Sequence, residues 1–504
     1  MTHTEINRQT TAPHSPNRKA AIIGGGVIGG GWVARFLLNG WDVSVYDPDP
    51  DAERKIGLVL ANARRSLPAL YDVSLPPEGS LQFCSSLADT VAGATWIQES
   101  APEQLAIKHR ILGEIQQFAP DDAIIGSSTS GFKPSELQEN ATKPGQIVVA
   151  HPFNPVYLLP LIEIVASDKS DAAFVRNACD VLRDIGLKPL LIGKEIDAHI
   201  ADRLLEAVWR EGLWLVNDGI ATTEEIDDAI RFGFGLRWAQ MGLFETYRIA
   251  GGEAGMSHFI AQFGPALKWP WTKLMNVPDL TPELIAKIAD QSDAQSGHLS
   301  IRELERLRDD NLVGMMRALK KSGSGAGGTI NDHEQALRQS IASNGASATA
   351  QLPQTVSRPV PQSWTDYNGH MNEAHYLEAF AQASDTFMAL IGADDAYIAA
   401  GKSFFTAESH LRHIAEAKAG QRISITSQVL SAAGKKMQLF HCMYGPDNDL
   451  IATCETLLIH VDLTTRRACP PEDAVAGKLA EFATSHASLP IPDGAGRHVG
   501  QKPA

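Results

Sequence analysis

Short apolar stretches alternate with amphipathic stretches of helical period up to about residue 198. The apolar stretches predicted as strands are residues 20–23, 42–46, 95–98, 123–127, 147–150 and 188–192. Strands that alternate with helices in this way are typical of a parallel α/β sheet. A helical pattern over residues 30–39, which Gly40 ends, joins the first two strands into a βαβ unit.

The pattern changes twice further along the chain. Long amphipathic runs over 199–321 predict an all-α domain, and a Gly/Ser/Ala-rich stretch over 322–355 predicts a linker. Residues 356–470 then combine one helix, 373–391, with strands at 422–430, 436–444 and 450–463, which is typical of an α+β domain. We expect a disordered N-terminus over 1–18 and a C-terminal tail over 471–504.

Composition narrows the class of protein. With 44% hydrophobic residues in 504, the chain has ample material for packed cores, and its net charge of −15 disfavours nucleic acid as a partner. No apolar run is long enough for a transmembrane helix, and the polar N-terminus lacks the apolar core of a secretory signal. The five cysteines are scattered and contain no CxxC pair. We expect a cytoplasmic protein without a metal site.

A glycine-rich turn follows the first strand and opens the first helix. It reads Gly24-Gly25-Gly26-Val27-Ile28-Gly29, and Asp47 ends the next strand. This spacing lets the backbone approach a pyrophosphate at the helix N-terminus, while the acidic residue accepts the ribose hydroxyls and repels a 2′-phosphate. The pattern predicts a bound NAD rather than NADP, with Gly24, Gly26, Val27, Ile28, Gly29 and Asp47 as cofactor-binding residues.

Three polar residues close to later strands suit the oxidation of an alcohol. Ser130 follows one apolar strand, His151 follows another, and Glu163 comes shortly after it. A histidine takes a hydroxyl proton near neutral pH, a carboxylate fixes its tautomer, and a hydroxyl holds the reacting oxygen. We predict these three residues as the catalytic set.

Residues up to about 320 resemble the 3-hydroxyacyl-CoA dehydrogenase superfamily. The resemblance rests on the glycine turn, on the run Gln98-Glu99-Ser100-Ala101-Pro102-Glu103, on the Ser-Thr-Ser segment at 128–130, and on His151-Pro152-Phe153-Asn154-Pro155 with Glu163. It implies an NAD-binding Rossmann domain over 19–198, catalytic Ser, His and Glu, and a helical domain over 199–321 that dimerises. Substrate would lie in the cleft between these two domains.

One position departs from that family pattern. The family carries Asn-Arg-Leu near the start of the helical domain, where this chain has Asp202-Arg203-Leu204. On a helix, Asp202, Glu206 and Trp209 share one face. Two carboxylates and an indole suit a quaternary ammonium group, so we predict these three as substrate-binding residues. The alternative is a solvated face on which Glu206 pairs with Arg210.

The aromatic segment at 231–246 is similar to that of L-carnitine dehydrogenases. Arg237 would bind the substrate carboxylate, and Trp238, with Phe232, Phe234 and Tyr247, would line the cationic end. Ordinary core packing is the alternative for at least two of these four aromatic residues.

A second set of candidate residues lies in the α+β domain. The run Asp366-Tyr367-Asn368-Gly369-His370-Met371-Asn372 before the helix resembles hotdog-fold thioesterases of the acyl-ACP and 4-hydroxybenzoyl-CoA types. Thioester hydrolysis needs a carboxylate and donors for the oxyanion. We predict Asp366 as the carboxylate, with Glu378 as the alternative. Asn368 and His370 would orient water or substrate, the amides near Gly369 and His370 would hold the oxyanion, and Asn372 would cap the helix.

Together these resemblances imply a Rossmann α/β domain, an all-α domain and a hotdog domain. We expect the first part to oxidise L-carnitine to 3-dehydrocarnitine with NAD, and the last to hydrolyse betainyl-CoA to glycine betaine and CoA. Three alternatives stay open. They are a 3-hydroxyacyl-CoA dehydrogenase fused to an acyl-CoA thioesterase, a gulonate-type hydroxy-acid dehydrogenase, and a non-catalytic NAD-binding scaffold with a hotdog dimeriser.

Overall fold

The computed structural model describes residues 18–250, 259–261, 272, 279, 281–344 and 352–497. By its internal contacts the chain divides into two compact units. Unit 1 comprises residues 1–36, 41–59 and 80–329, and unit 2 comprises 37–40, 60–79 and 330–504. The predicted disordered N-terminus lies outside the described residues.

Unit 1 is built on an eight-stranded sheet. Its strands are β1 (Lys19–Ile23), β2 (Asp42–Tyr46), β3 (Leu81–Phe83), β4 (Trp96–Glu99), β5 (Ile124–Ser127), β6 (Ile147–Pro152), β7 (Leu161–Val165) and β8 (Lys188–Ile192). The spatial order is β3-β2-β1-β4-β5-β6-β7-β8. All neighbouring pairs are parallel except β6 and β7, which are antiparallel. The sequence predicted this sheet apart from β3 and β7.

Helices separate these strands, except β6 from β7. They are α1 (Val27–Leu37), α2 (Ala52–Ser66), α3 (Leu87–Val91), α4 (Leu105–Phe118), α5 (Pro134–Leu137) and α6 (Ala172–Asp184). One core cluster joins β1, β4, β5 and β6 to α4 through fully buried Ile97, Ile115 and Ile125. Strands covered by helices on both faces are apolar throughout, which is why short continuous apolar runs predicted them.

The all-α part of unit 1 begins two residues after the predicted boundary at 199. It contains α7 (Ala201–Asn217), α8 (Thr223–Ala229), a π-helical turn (Ile230–Phe234), α9 (Gly235–Ala250), α10 (Pro282–Ser296) and α11 (Ile301–Ser322). Several ends have clear local causes. Thr222 and Ser300 each form a capping box with a glutamate three residues on, and Gly323 ends α11 in the left-handed region with φ 63°.

The predicted linker differs from what the structure shows. A helix, α12 (Gly325–Asn344), occupies most of 322–355, and residues 345–351 lie outside the described part. Ile330 and Leu337 on this helix are buried. The glycines at the start of α12 have a low helix propensity, and for that reason the sequence predicted a flexible segment. Burial of the apolar side chains of Ile330 and Leu337 outweighs this low propensity.

Unit 2 contains a six-stranded antiparallel sheet around one long helix. The elements are β9 (Gln354–Pro359), α13 (Glu373–Leu390), α14 (Asp395–Ala399), β10 (Lys402–His413), β11 (Arg422–Ala433), β12 (Lys436–Tyr444), β13 (Leu450–Asp462), β14 (Arg467–Ala468) and α15 (Asp473–His486). The strand order is β10-β13-β12-β11-β9, with β14 on β13. Phe380, Ala383 and Phe387 on α13 are buried in two core clusters against the sheet.

Two further boundaries differ from the predictions. Helix α15 lies in the predicted tail, and Val475, Leu479 and Phe482 bury its apolar side against the sheet. Residues 60–79 fall in unit 2, where the Arg358 guanidinium donates to the carbonyl of Tyr71 at 2.9 Å and the Ser357 N–H donates to Ser74 Oγ at 2.8 Å. Such tertiary contacts leave no periodic signal in the sequence.

Among the described residues no helix is long and apolar enough to cross a membrane.

Candidate active sites

The glycine turn between β1 and α1 has the geometry of a dinucleotide cradle. Gly24 has φ 103°, and a Cβ there would lie 2.5 Å from the Ser100 carbonyl oxygen. A Cβ on Gly29 would lie 1.8 Å from the Gly24 carbonyl oxygen, whereas one on Gly26 would meet nothing within 4 Å. Gly24 and Gly29 therefore allow the tight turn, and Gly26 leaves open space where a phosphate can approach.

Asp47 shapes the same cradle from the end of β2. Its carboxylate accepts hydrogen bonds from the N–H of Gly25 and from the N–H of Asp49, the second at 2.7 Å. Val27, at the start of α1, is 64% exposed. An open helix N-terminus beside a fixed carboxylate fits an NAD pyrophosphate and ribose.

The predicted base and its carboxylate lie opposite each other on neighbouring strands. His151 on β6 is paired in register with Glu163 on β7, and His151 Nδ1 is 3.0 Å from Glu163 Oε2. Because this is the antiparallel pair of the sheet, the two side chains emerge on the same face at the same level. The structure thus brings together the two residues that the sequence proposed as a dyad.

Glu163 is also held by the beginning of α7. Its Oε1 accepts hydrogen bonds from the N–H of Ile200 at 3.0 Å and of Ala201 at 2.9 Å. Burial alone would raise the pKa of Glu163, but the hydrogen bonds from His151, Ala201 and Ile200 outweigh it and hold the pKa below its usual value. The carboxylate is therefore ionised at neutral pH and keeps the His151 proton on Nδ1, leaving Nε2 to accept a proton.

Ser130 lies in the loop after β5, between two residues, Thr129 and Gly131, whose carbonyl groups are hydrogen-bonded. The Thr129 carbonyl accepts from His199 Nε2 at 3.2 Å, and the Gly131 carbonyl accepts from the Ala198 N–H at 3.3 Å. Within the described part of the chain the Ser130 hydroxyl makes no hydrogen bond, whereas Ser128 Oγ accepts from Trp32 and Gln98. Ser130 is thus the hydroxyl of this segment that stays available to a ligand.

Asp202 lies beside the reactive nitrogen of the base. Its Oδ2 is 3.7 Å from His151 Nε2. Burial raises the pKa of Asp202, and the Glu163 carboxylate adds to that effect, while His151 opposes it. A carboxylate therefore lies directly beside the nitrogen of the predicted base.

The other residues predicted on this helix face are more exposed. Glu206 Oε2 is 3.6 Å from Arg210 Nε, which is the surface pair of the alternative interpretation, and Trp209 is 58% exposed. Arg237 and Trp238 lie on α9, where the Trp238 ring is 4.6 Å from that of Phe234. None of these four is joined to His151 by a hydrogen bond or ring contact within the described residues, so their roles stay predictions.

The sequence patterns did not identify His199, whose ring lies next to that of the base. Its ring is fully buried, and its centroid is 5.5 Å from that of His151. The only signal in the sequence is a histidine three residues before Asp202. Its significance depends on a backbone conformation that no spacing pattern reveals.

In unit 2, the segment 366–372, which was predicted to hydrolyse a thioester, begins with a tight turn around Asp366. Asp366 Oδ1 accepts hydrogen bonds from the N–H of Asn368 at 2.8 Å and of His370 at 3.3 Å. The Gly369 N–H donates to the Asp366 carbonyl at 3.0 Å. The amides of Gly369 and His370 are thus used inside the loop, which differs from their predicted role as oxyanion donors. The predicted cap is confirmed, because Asn372 accepts from the Ala374 N–H.

Two histidines in and beside this loop each lie next to a glutamate, and neither pair was predicted from the sequence. His370 Nε2 is 3.2 Å from Glu416 Oε2. Glu378, the alternative carboxylate, is 2.7 Å from Nδ1 of His375, whose ring stacks on Trp364 at a centroid distance of 5.2 Å. Both candidate carboxylates therefore lie near the start of α13, but Glu378 is paired with a histidine ring, whereas within the described residues Asp366 pairs with no histidine ring.

Comparison with family models covers both units. Residues 19–196 match the NAD-binding domain of 3-hydroxyacyl-CoA dehydrogenase, and residues 199–279 match the C-terminal domain of the same family. Residues 360–479 match the thioesterase-like superfamily. A solved NAD+-dependent dismutase, 5-formyl-3-hydroxy-2-methylpyridine 4-carboxylic acid 5-dehydrogenase, is 28% identical with a TM-score of 0.51 and covers 60% of this chain and 99% of its own.

Curated relatives match almost the whole length. An L-carnitine dehydrogenase/betainyl-CoA thioesterase of Ruegeria pomeroyi is 62% identical over 96% of this chain and 99% of that protein. The protein of the same name from Agrobacterium fabrum is 53% identical, over 95% and 98%. An L-carnitine dehydrogenase of Mesorhizobium japonicum is 57% identical over 66% of this chain and 92% of its own length. The chain therefore belongs to the L-carnitine dehydrogenase/betainyl-CoA thioesterase family.

Proposed function

We propose that this chain catalyses two reactions at separate sites. One is the NAD-dependent oxidation of L-carnitine to 3-dehydrocarnitine, and the other is the hydrolysis of betainyl-CoA to glycine betaine and CoA. The observation that carries the first assignment is the Asp202 carboxylate, 3.7 Å from His151 Nε2. The near-full-length relatives of that name support both reactions.

The site in unit 1 supplies the proton chemistry of alcohol oxidation. His151 Nε2 removes the hydroxyl proton, and Glu163 stabilises the charge that the ring gains. The free Ser130 hydroxyl donates a hydrogen bond to the reacting oxygen. The Gly24–Gly29 turn and Asp47 would hold NAD+, which would supply the hydride acceptor for this oxidation.

The position of Asp202 fits the substrate's charge. In L-carnitine the quaternary nitrogen is one methylene away from the carbinol carbon, so the cation lies close to the hydroxyl that His151 binds. A carboxylate next to Nε2 is therefore well placed to attract that cation, and Glu206 and Trp209 extend the same helix face. A 3-hydroxyacyl thioester has no cation at this position. Arg237 would bind the carboxylate end, with Trp238 beside it.

In unit 2, Asp366 is the carboxylate that we assign to thioester hydrolysis. It lies in an ordered turn at the start of α13, and within the described residues no basic side chain pairs with it. Asn368 and His370 share that turn and would orient water or the thioester carbonyl.

We further propose a cytoplasmic homodimer. All five cysteines are free thiols, as expected in a reducing compartment. Helices α7 and α9 expose large apolar side chains that a soluble monomer rarely shows together. These residues are Leu204, Leu205, Val208, Leu236 and Phe244.

Two variants of the full chain separate the reactions. NADH formation from L-carnitine and thiol release from betainyl-CoA are measured for the unaltered protein, His151→Gln and Asp366→Asn. We expect His151→Gln to lose the first activity and keep the second, and Asp366→Asn to show the reverse. The proposal fails if the unaltered protein shows neither activity, or if it prefers a 3-hydroxyacyl-CoA and an uncharged acyl-CoA.

A further inference from the structure

The turn that precedes α7 adopts an unusual backbone conformation. Ala198 and His199 have φ angles of 56° and 51°, so two successive residues with side chains lie in the left-handed region. Neither is a glycine, and such conformations carry a steric cost that persists only where surrounding contacts hold them. The contacts of this turn therefore show what the conformation achieves.

This turn is hydrogen-bonded both to the loop that carries Ser130 and to Glu163, the partner of His151. Through Ala198 N–H and the His199 ring it holds the carbonyls of Gly131 and Thr129, the two neighbours of Ser130. Its next two N–H groups, on Ile200 and Ala201, donate to Glu163, the partner of His151. Four successive residues thus join the Ser130 loop to the base and its carboxylate.

The His199 ring is suited to this role as a neutral donor. Its Nε2 faces a carbonyl oxygen, so that nitrogen carries the hydrogen, and Nδ1 finds no hydrogen-bond partner within the described residues. Burial lowers the pKa of His199, which keeps the ring uncharged at neutral pH. An uncharged ring does not repel the proton that His151, 5.5 Å away, must accept.

We infer that His199 is a positioning residue of the dehydrogenase: its Nε2–H bond to the Thr129 carbonyl sets the Ser130 hydroxyl relative to His151. The inference rests on the proposed oxidation of L-carnitine at this site. A displacement of a catalytic group by about 1 Å can lower turnover by about 100-fold. The effect of losing His199 therefore falls on kcat rather than on NAD binding.

Three substitutions test the hydrogen bond separately from the volume of the ring. His199→Gln can place an amide N–H near the position of Nε2. His199→Asn is the same chemical group on a shorter side chain, and His199→Phe keeps an aromatic ring without a donor. The matched control is His109, whose Nε2 also donates to a backbone carbonyl, that of Glu136 at 2.7 Å, on α4 of the same unit.

The readouts are kcat and KM for L-carnitine, KM for NAD+, and thioester hydrolysis by the same preparation. We expect His199→Phe and His199→Asn to lower kcat by about 10- to 100-fold, with KM for NAD+ changed less than about twofold. His199→Gln should keep at least about a third of the original kcat. Both His109→Phe and His109→Gln should leave all the constants unchanged, and hydrolysis should be unaltered throughout.

Two results overturn the inference. One is full turnover by His199→Phe. The other is equal kcat for His199→Gln and His199→Asn, which decides the matter even if the phenylalanine variant does not fold. Failure of the proposed function is distinct, because the unaltered protein would then not oxidise L-carnitine at all.

Discussion

At the scale of single residues, one imidazole stands between two carboxylates. Glu163 bonds to Nδ1 of His151, and Asp202 lies beside Nε2. The sequence pointed to all three residues, because their types and the family resemblance identify a base, its partner and a departure from the family pattern. It could not indicate His199, whose role comes from a left-handed turn and a bond to a carbonyl.

Replacing Asp202 with Asn tests its role toward the cation. We expect KM for L-carnitine to rise by about tenfold or more, equivalent to ~1.4 kcal/mol, while KM for NAD+ changes little, because only the carnitine cation loses its counter-charge. Since burial raises the pKa of Asp202, its charge is also lost at a higher pH than that of an exposed aspartate. The same KM should therefore rise early on acidification.

Steady-state kinetics with both substrates varied measures these effects. Asp218→Asn, an exposed carboxylate at the other end of α7, is the matched control. Equal increases in the two KM values would contradict the assignment of Asp202.

At the scale of elements, the pairing of strands β6 and β7 and the beginning of helix α7 determine where the reactive side chains of unit 1 lie. The antiparallel neighbour of β6 puts Glu163 opposite His151, yet the sequence analysis did not predict β7. Four of the five residues of β7 are apolar, but the strand is short and the glutamate at its centre interrupts the apolar run. In unit 2 the long apolar helix and three strands were predicted well, whereas β9, β10 and the two-residue β14 were not. Strand β10 alternates poorly because much of it is exposed.

Substitutions at the start of α13 decide between the two candidate hydrolase carboxylates. We expect Asp366→Asn to lower kcat for betainyl-CoA by about 100-fold or more, since a carboxylate that activates water or attacks the carbonyl is lost. Glu378→Gln, which breaks a pair with His375, should have a much smaller effect. Glu373→Gln, in the first turn of the same helix, is the control. Thiol release measures all three, and a larger loss in Glu378→Gln than in Asp366→Asn would reverse the assignment.

A buried histidine makes the stability of the hotdog domain depend on pH. His441 on β12 is fully buried between the Ser384 and Ser427 hydroxyls, and burial lowers its pKa to about 3. An unfolded chain binds this proton near pH 6.5. Between these values the unfolded state holds more protons, so stability falls as the pH drops from about 6.5, by up to about 1.4 kcal/mol per pH unit.

Melting temperatures at pH 7.5 and 5.0 measure this dependence. His441→Gln lowers stability at pH 7.5, but we expect its deficit relative to the unaltered protein to shrink at pH 5.0, because glutamine takes up no proton. His298→Gln, at an exposed histidine between α10 and α11, should change neither value. The prediction is wrong if the deficit of His441→Gln is the same at both pH values.

At the scale of the whole molecule, the chain joins a dehydrogenase unit to a thioesterase-like unit. Changes in hydrophobic pattern predicted the domain types, because each type of core leaves its own periodicity. They did not predict that residues 60–79 belong to unit 2, that 325–344 form a helix, or that α15 packs on the sheet. Each of these depends on contacts between residues far apart in sequence.

The proposed dimer interface on α7 and α9 can be tested by placing charged residues among its exposed apolar side chains. We expect the unaltered protein to sediment as a dimer, and Leu205→Glu and Phe244→Glu to shift it toward monomer, because a buried unpaired carboxylate is costly at an interface. Ile491→Glu, at a 79% exposed position in unit 2, is the control. Monomeric unaltered protein, or a dimer unaffected by either helix variant, would contradict the proposed interface.

The choice of alcohol substrate tests the account most directly. NADH formation is measured with L-carnitine, 3-hydroxybutyryl-CoA and L-gulonate under the same conditions, and kcat/KM is compared. A carboxylate beside the base predicts that L-carnitine exceeds both others by about 100-fold or more. Turnover of the CoA ester at a rate equal to or above that of L-carnitine would contradict the role of Asp202 and place both units in acyl-CoA chemistry.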